Sequence, residues 1–366
     1  CAYVPLDPHY PGDRLEFIAQ ESQYSILLTQ QELCDRSPHI SNASTICLDS
    51  EWDAIAAYPE HPLELATSPD HIAYVMYTSG STGKPKGVQM PRANIVRYIT
   101  ALSDIIPVQD SDIYLHVASF SFSSSVRQLL LPLYNGATVI LATREQTKNP
   151  LNLLHLMQQR KVTVFDGVPS VWRYALQLID DASEQTWTGA DFSLKYVALS
   201  GEVTPALLLQ RIKQFLGDRV RFFNVYGQTE TIGNTAYAVP PDFDQENGYL
   251  PVGYPYPHNR AYILDSSLNP VDDGEVGELY IAGGCLAQGY MNRDDLTAEK
   301  FITPPWQGES SRIFDTGDVA RRRPDGSIEL LGRSDFQVKI RGMRVELDEI
   351  AAVLEQHPDV KGAATA

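Results

Sequence analysis

The chain has 366 residues, of which 43% are hydrophobic and 20% charged, as in a globular protein with a sizeable core. Its 46 acidic and 29 basic residues give a net charge of −17, which disfavours nucleic acid and anionic membrane surfaces as partners. The four cysteines lack metal-site spacing, and no apolar run reaches the roughly 18 residues of a membrane span. So few thiols in so long a chain predict a reducing compartment, here the cytoplasm.

Over the first 250 residues, apolar runs rich in β-branched residues alternate with stretches of helical periodicity. The apolar runs predict buried strands at residues 72–77, 137–141, 162–165 and 196–199. The periodic stretches predict helices, most clearly at residues 151–160 and 205–216. Strands that alternate with helices predict an α/β protein whose sheets are mainly parallel.

Beyond residue 250 the pattern changes to short strands separated by Gly, Pro and Asp turns. These strands, at residues 262–264, 277–281 and 327–331, predict an antiparallel or barrel-like part. A further strand from Val338 and a helix over residues 347–356 begin another unit. Because the chain stops at Ala366, we expect that unit to be incomplete.

The strongest local signal is the string YTSGSTGKPKGV at residues 77–88. A buried strand runs into a loop of hydroxyls, glycines and two lysines. Glycines let backbone N–H groups approach an anion, while hydroxyls and lysines add donors and positive charge. The spacing differs from that of a Walker loop. The string therefore predicts a polyphosphate site of another kind.

This string resembles the phosphate loop of the adenylate-forming superfamily, which includes acyl-CoA synthetases, luciferases and the adenylation domains of nonribosomal peptide synthetases. Four further segments resemble motifs of that family in the expected order: NVYGQTE at 224–230, the glycine-rich segment 277–290, FDTGD at 314–318 and GRSDFQVKIRG at 332–342. The strings AYVPLDP at 2–8 and RVELDEI at 344–350 resemble peptide synthetases in particular.

The resemblance implies a fold and a domain division. Residues 1–334 would form the large layered α/β subdomain, truncated at its N-terminus, with a β-rich, barrel-like part at about 250–334. Residues 335–366 would form the hinge and the beginning of a small α+β C-terminal subdomain, also truncated.

The resemblance also implies a reaction in which a small carboxylic acid and ATP, with Mg²⁺, give an acyl-adenylate and pyrophosphate. The acyl group, from an amino, keto or hydroxy acid, then passes to the phosphopantetheine thiol of a downstream peptidyl carrier domain. Two alternatives remain open. One is a stand-alone acyl- or aryl-CoA ligase of the same superfamily, and the other is a nucleotide-binding but catalytically impaired fragment.

Site residues are implied position by position. The phosphate contacts are assigned to Thr78, Ser79, Gly80, Ser81, Thr82, Gly83, Lys84 and Lys86. Tyr226 matches the residue that stacks on adenine, and Asn224 matches a contact to the purine edge. Asp318 matches the carboxylate that accepts hydrogen bonds from both ribose hydroxyls, and Arg333 matches a second ribose or phosphate contact.

The catalytic candidates are Thr229 at the α-phosphate, Glu230 as the Mg²⁺ ligand, and Lys339. Asp335 matches the hinge residue. Two features depart from the family: Arg92 stands where a histidine is common, and the reactive lysine near the end of the C-terminal subdomain has no counterpart in these residues.

The acyl pocket departs from the peptide-synthetase pattern as well. Its predicted lining is Ser123, Ser124, Arg127, Asp166, Ala198, Ser200, Val225, Gly233 and Asn234. Ser123 stands where an aspartate binds the substrate ammonium, and a serine cannot neutralise a buried charge. Either the substrate lacks an α-amino group, or Asp166 supplies the carboxylate for an amine placed elsewhere. Arg127 then either pairs with Asp166 or faces a substrate oxygen.

Overall fold

The computed structural model describes residues 1–38, 40–61, 63, 65–80, 84–181, 187–243, 247–306, 312–335, 337–340, 342–355, 357, 360, 363 and 365. The helices are α1 (Gly12–Ser22), α2 (Trp52–Ala56), α3 (Arg92–Ile105), α4 (Ser123–Tyr134), α5 (Arg144–Lys148), α6 (Pro150–Gln159), α7 (Pro169–Asp181), α8 (Ala206–Leu216), α9 (Asp294–Lys300) and α10 (Leu347–Glu355). Within those residues, no helix combines the length and apolar character that crossing a bilayer requires.

The strands of the first half are β1 (Ile26–Thr29), β2 (Ser44–Cys47), β3 (Ile72–Thr78), β4 (Lys86–Pro91), β5 (Ile113–His116), β6 (Thr138–Leu141), β7 (Val164–Gly167), β8 (Tyr196–Ser200), β9 (Arg221–Tyr226) and β10 (Thr235–Ala238). The later strands are β11 (Tyr254–Pro255), β12 (Asn259–Leu264), β13 (Val276–Gly283), β14 (Gly289–Tyr290), β15 (Phe301–Ile302), β16 (Ile313–Arg322), β17 (Ile328–Arg333), β18 (Gln337–Ile340) and β19 (Met343–Glu346). Three short 3₁₀ helices, Gln31–Arg36, Gly189–Asp191 and Thr229–Thr231, complete the described elements.

The largest sheet has seven strands in the order β11-β10-β9-β8-β7-β5-β6. The five strands from β9 to β6 pair in parallel, whereas β10 and β11 are antiparallel. Alternate residues of the buried strands enter two different apolar clusters. Val164 and Ala198 pack towards the other sheets, and Phe165 and Leu199 pack under α6, α7 and α8. This period of two shows a sheet buried on both faces.

The predicted helices at 151–160 and 205–216 correspond to α6 and α8, and the strand predicted at 196–199 corresponds to β8. The strand predicted at 162–165 begins two residues later, at Val164. The preceding Thr163 instead uses its hydroxyl to bond the Asp112 carboxylate at 2.8 Å and the Ile113 N–H at 2.9 Å. The apolar character of residues 162–165 alone therefore does not locate the first residue of β7.

Parallel pairing joins the five strands from β9 to β6 of the large sheet and the separate pair β1-β2, whereas the other described strand pairs are antiparallel. The strand predicted at 72–77 is β3, and it pairs antiparallel with β4 in a three-stranded sheet ordered β14-β4-β3. The β-rich part after residue 250 forms a five-stranded antiparallel sheet of β12, β13, β16, β15 and β17. One apolar cluster, which includes Tyr74, Phe223, Ile281 and Phe314, joins all three sheets.

We predict that Gly253 is essential to the junction between the large sheet and the β-rich part. Its φ is +83°, and a Cβ there would lie 2.0 Å from the Ala236 carbonyl oxygen. Gly253→Ala should lower the free energy of unfolding by about 3 kcal/mol or more, because backbone strain and overpacking add. Gly274 is the matched control, since its φ is +91° and its surroundings are open. Gly274→Ala should cost only about 1 kcal/mol. If denaturant titrations showed the same decrease in the free energy of unfolding for both variants, the predicted clash would be contradicted.

Candidate functional site

A cavity of about 1280 Å³ opens where the carboxyl ends of the parallel strands meet. Its wall includes Gly167 at the end of β7, Ser200 at the end of β8 and Gly227 just after β9. In open α/β sheets, this edge is where ligands bind. The first turn of α4 and the loop after β3 complete the wall with Ser123 and Ser79.

The wall of this cavity is basic although the chain is acidic. Five of the described residues that line it are basic: Arg14, Arg127, Lys148, Lys339 and Arg344. The acidic residue of the described wall, Glu346, is paired with Arg344 at 2.8 Å. Three of the basic residues also have acidic partners: Lys148 pairs with Glu145, Arg127 with Asp166, and Arg344 with Glu230 as well as Glu346. The described wall still has more basic than acidic residues, which favours anionic ligands.

The structure brings many of the predicted site residues to this cavity. Nine line it: Thr78, Ser79, Ser123, Ser124, Arg127, Ser200, Val225, Thr229 and Lys339. Thirteen other described residues are not part of the wall: Lys86, Asn224, Tyr226, Glu230, Asp318, Arg333, Asp166, Ala198, Gly233, Asn234, Gly80, Lys84 and Asp335. Gly80 is buried in the loop, and Lys84 and Asp335 are exposed. The predicted phosphate contacts Ser81, Thr82 and Gly83 lie outside the described residues.

Glu230 is a fully buried carboxylate next to the cavity. Its Oε1 accepts hydrogen bonds from Tyr290 OH and Arg344 Nη1, both at 3.0 Å, and lies 3.4 Å from Lys86 Nζ. Burial would raise the pKa of Glu230, but Arg344 and Lys86 together outweigh it and lower the pKa to about 2. Glu230 is therefore ionised at neutral pH.

The second oxygen of Glu230, Oε2, is buried and has no hydrogen-bond partner in the described part of the protein. Buried polar atoms rarely lack a partner, so this oxygen has capacity for a ligand. Carboxylate oxygens suit Mg²⁺, which usually takes one or two of them together with substrate phosphates and water. Across the described ranges, no three His, Cys, Asp or Glu side chains cluster as a metal site. The predicted role of Glu230 fits a cation shared with a phosphate ligand.

Lys86 on β4 is buried beside Glu230. Its ammonium lies 3.4 Å from Tyr290 OH and 4.8 Å from the centre of the Tyr290 ring. Burial lowers the pKa of Lys86 to about 8, with a further contribution from Arg344 and an opposing one from Glu230. The charge of Lys86 is therefore present at pH 7 and lost under mildly alkaline conditions.

Asp318 on β16 is the centre of a second buried cluster. Its Oδ1 accepts from Arg333 Nη1 at 2.7 Å, and its Oδ2 accepts from Tyr226 OH and from Gln228 Nε2. Arg333 also binds the Asp335 carboxylate through Nε at 2.6 Å and Nη2 at 2.7 Å. Both Asp318 oxygens thus have protein donors in this conformation.

The side chains predicted to hold adenine are packed into the protein interior here. Asn224 is buried and donates its amide to the Pro251 carbonyl at 2.8 Å. Tyr226 is buried as well, and its ring centre is 6.0 Å from Lys339 Nζ. Burial is the main cause that lowers the pKa of Lys339.

Strands β18 and β19, together with Gly342, are here called the closing hairpin and cover one side of the cavity. The Ser79 hydroxyl donates to the Arg344 carbonyl at 3.1 Å, and the Gly342 N–H donates to Glu202 Oε1 at 2.9 Å. Gly342 also lies beside Gly201, where a Cβ on Gly201 would be in van der Waals contact with the Gly342 Cα at 3.5 Å. The closing hairpin is thus attached to the site by polar contacts.

The Arg127–Asp166 pair forms the inner wall of the acyl region. Asp166 is fully buried and receives Arg127 Nε at 2.6 Å and Nη2 at 2.8 Å. It also accepts from Tyr114 OH at 3.0 Å and from Ser200 Oγ at 3.3 Å. The sequence left two arrangements open, in which Arg127 either pairs with Asp166 or faces a substrate oxygen. In the structure, Arg127 is paired with Asp166.

Several residues of the site were not found from the sequence. Tyr98 on α3 accepts from Arg127 Nη1 at 3.1 Å, and its ring occupies the space beside Gly233, where a Cβ would come within 2.2 Å. Tyr290 and Arg344 were part of matched motifs without being assigned roles. Tyr98 had no local signal, because an aromatic residue at helical spacing is typical of an ordinary core position.

We predict that removing one partner of the Arg127–Asp166 pair lowers the free energy of unfolding more than replacing both partners with neutral residues. Arg127→Met should lower the free energy of unfolding by about 3–5 kcal/mol, because Asp166 stays buried without its cation. The double variant Arg127→Met/Asp166→Asn removes the charge and keeps an acceptor for Tyr114, so it should recover at least half of the loss. Denaturant titration measures both variants. A double variant no more stable than the single one would contradict this account.

Comparisons with known proteins identify the family of the chain. A family model described as AMP-binding enzyme matches residues 1–291. The chain is 36% identical over 368 aligned residues to the dimodular nonribosomal peptide synthase of Bacillus subtilis (strain 168), covering 100% of this chain and 15% of that protein. The chain therefore spans a small part of this curated relative.

Solved structures share the layered α/β fold predicted from the sequence, which is confirmed. NpsA-ThdA of Klebsiella oxytoca, an artificially fused adenylation–PCP di-domain, aligns with a TM-score of 0.83 and 26% identity over 99% of this chain and 69% of its own. The nonribosomal peptide synthetase FmoA3 in its α-methyl-L-serine-AMP bound form aligns with a TM-score of 0.80 and 28% identity, over 92% and 36%. With a family match over most of its length, the chain belongs to the AMP-binding enzymes.

Proposed function

We propose that this chain activates a carboxylic acid with ATP, forming an acyl-adenylate and pyrophosphate, as part of a nonribosomal peptide synthetase. The observation that carries the proposal is the basic wall of a large cavity in an acidic protein, beside the phosphate loop and Thr229. The similarity to an adenylation domain and to FmoA3 with a bound aminoacyl-AMP supports it.

In the proposed reaction, a carboxylate oxygen attacks the α-phosphorus of ATP and the bond to the β-phosphate oxygen breaks. Negative charge builds on the phosphoryl group and on the leaving pyrophosphate, so catalysis needs fixed donors and cations nearby. Ser79, Thr229 and Lys339 line the cavity and supply such groups, and Lys86 adds a buried ammonium. Mg²⁺, with Glu230 as its protein ligand, would neutralise phosphate charge.

We further propose that the acyl group is transferred to a phosphopantetheine thiol of a carrier domain. NpsA-ThdA, a fusion of an adenylation domain with a PCP, supports this partner. The proposed division places the large subdomain at residues 1–334 and the start of a mobile subdomain at 335–366, with Asp335 as the hinge. We place this chemistry in the cytoplasm, where thiols stay reduced.

For the substrate, we propose an acid without a standard α-amino group. Ser123 is neutral, and its hydroxyl lies 3.5 Å from that of Thr229. Asp166 cannot receive an ammonium in this arrangement, because Arg127, Tyr114 and Ser200 already bond to its carboxylate. The one acidic residue among the described wall residues, Glu346, is paired with Arg344. An α-keto or hydroxy acid would offer a neutral oxygen, which Ser123 can bind without burying a charge.

We predict that ATP affinity depends on the charge of Lys86. Because the pKa of Lys86 is lowered to about 8, its charge is lost as the pH rises through 8. Between pH 7.5 and 9, ATP affinity in the presence of Mg²⁺ should fall roughly tenfold, in proportion to the protonated fraction. Lys86→Met should weaken binding about tenfold to a hundredfold at pH 7.5, since a charged contact is lost, and should remove most of the pH dependence.

Calorimetry on the wild-type chain and two variants tests this prediction. Lys84→Met is the matched control, because Lys84 lies two residues before Lys86 but is exposed. In this variant, ATP affinity should still fall between pH 7.5 and 9. If ATP affinity fell by the same factor in Lys86→Met as in the wild-type chain, the pH dependence would belong to another group.

We predict that Ser123→Asp restores recognition of an ammonium group. Ser123 is the first residue of α4, where a carboxylate is favoured by the helix dipole, so the variant should fold. In the natural full-length protein, ATP–pyrophosphate exchange should shift towards α-amino acids by about a hundredfold to a thousandfold relative to keto and hydroxy acids.

Ser124→Asp is the matched control, with the same charge one residue further along the cavity wall. It should not produce this shift. A wild-type protein that already prefers a common α-amino acid would overturn the proposed substrate class. Absence of exchange with every acid, in a protein that binds ATP, would overturn the proposed reaction.

A further inference from the structure

Two cysteine thiols touch outside the wall of the cavity. Cys34 Sγ lies 3.0 Å from Cys47 Sγ, and both thiols are free. Cys34 belongs to the 3₁₀ helix Gln31–Arg36, and Cys47 is the last residue of β2. The two residues are 13 positions apart, so the contact is made by folding and not by local sequence.

Independent contacts place the two sulfurs together. The Asp49 carboxylate, just after β2, accepts from the Gln31 N–H at 2.9 Å and so holds the start of the 3₁₀ helix. The Ser50 hydroxyl donates to Gln31 Oε1 at 3.1 Å. These bonds fix the 3₁₀ helix against the end of β2 without any contribution from the thiols.

The surroundings of the pair distinguish the two cysteines. Cys47 is buried, with 6% of its surface exposed, whereas Cys34 is partly exposed. In the described part of the chain, no cluster of His, Cys, Asp or Glu suggests that the pair serves a metal ion. A small oxidant can therefore reach Cys34 first, and Cys47 lies in contact with it from the protein side.

We propose that Cys34 and Cys47 are a reversible oxidation site, at which the two thiols form a disulfide with each other. The oxidant is a low-molecular-weight disulfide such as glutathione disulfide. The Cys34 thiolate attacks one sulfur of glutathione disulfide, forms a mixed disulfide and releases one glutathione. Cys47 then attacks Cys34 Sγ and releases the second glutathione. The two protein thiols lose two electrons and two protons, and the two glutathiones gain them.

The same contact makes the reaction slow and dependent on pH. The hydrogen bond to Cys47 is the main cause that raises the pKa of Cys34 to about 11, with burial second. Because the thiolate is the nucleophile, the rate should rise about tenfold per pH unit between pH 7 and 10. Cys47→Ala removes the main cause, so the first attack by Cys34 should be faster in that variant.

The site is connected to the cavity through a short path. Arg36, in the same 3₁₀ helix as Cys34, donates from Nη2 to the Pro8 carbonyl at 3.0 Å. Two residues later, Tyr10 and Pro11 line the cavity. A disulfide therefore ties β2 to the helix that contacts this segment of the cavity wall.

The experiment uses the chain with Cys1→Ser, which removes the exposed terminal thiol and keeps the buried Cys285 as an internal standard. After incubation with glutathione disulfide at pH 8.5, the protein is alkylated, digested with trypsin and analysed by mass spectrometry without reduction. We expect peptides 15–36 and 37–86 to be recovered joined, with Cys285 alkylated after unfolding. Dithiothreitol should separate the two peptides.

Two variants identify the order of steps. Cys47→Ala should accumulate one glutathione on Cys34, because the resolving thiol is missing. Cys34→Ser should gain glutathione on Cys47 at least tenfold more slowly, because Cys47 is buried. Persistent glutathione on Cys34 with Cys47 present, or recovery of both cysteines alkylated after prolonged oxidation, would overturn the proposal. Equal rates of adduct formation in the two variants would overturn the assigned order.

Discussion

The site depends on one buried anion. Glu230 has no solvent exposure, and an ionised carboxylate in such a place is stable only with positive partners. Two cations from separate parts of the chain supply this charge, Lys86 from β4 and Arg344 from the closing hairpin, and the neutral Tyr290 of β14 adds a hydrogen bond. The carboxylate therefore connects the three-stranded sheet, the end of the large sheet and the hairpin at one point. Removal of either cation would leave the charge of Glu230 less well compensated at that junction.

The same arrangement recurs at the other buried carboxylates of the site. Asp166 is paired with Arg127, and Asp318 is paired with Arg333. Each pair also binds a tyrosine hydroxyl, from Tyr114 at Asp166 and from Tyr226 at Asp318. These pairs show how a chain of net charge −17 holds carboxylates in its interior, because each of these buried acids has a cation beside it. Two of those cations, Arg127 and Arg344, also line the cavity.

Much of the fold follows from local pattern. The apolar runs and helical periods predicted β8, α6 and α8 because a two-sided buried strand and an amphipathic helix have distinct periods. The antiparallel pairing of β3 with β4 was not predictable in this way, because a buried strand has the same apolar pattern in either kind of sheet. The start of β7 was misplaced because the side chain of Thr163 bonds to Asp112, a contact between distant parts of the chain.

The motifs predicted which residues come to the cavity better than they predicted the contacts among them. Thr78, Ser79 and Thr229 line it, as expected of residues next to strand ends. The occupation of both Asp318 oxygens, and the role of Tyr98 beside Gly233, depend on packing between elements far apart in sequence. The pairing of Arg127 with Asp166 was recognised as an alternative, but sequence alone did not select it, because both partners also suit a substrate.

The position of the closing hairpin and the charge at Glu230 are coupled by this electrostatic arrangement. The hairpin contacts the site through Arg344 and Gly342, while its apolar residues Ile340 and Met343 stay about half exposed. Its departure would therefore cost few buried apolar contacts. The main cost would be electrostatic, because Glu230 would keep Lys86 and Tyr290 but lose the guanidinium that lowers its pKa most. A cation at Oε2 would offset part of that cost, because Oε2 has no partner in the described structure while Arg344 bonds to Oε1.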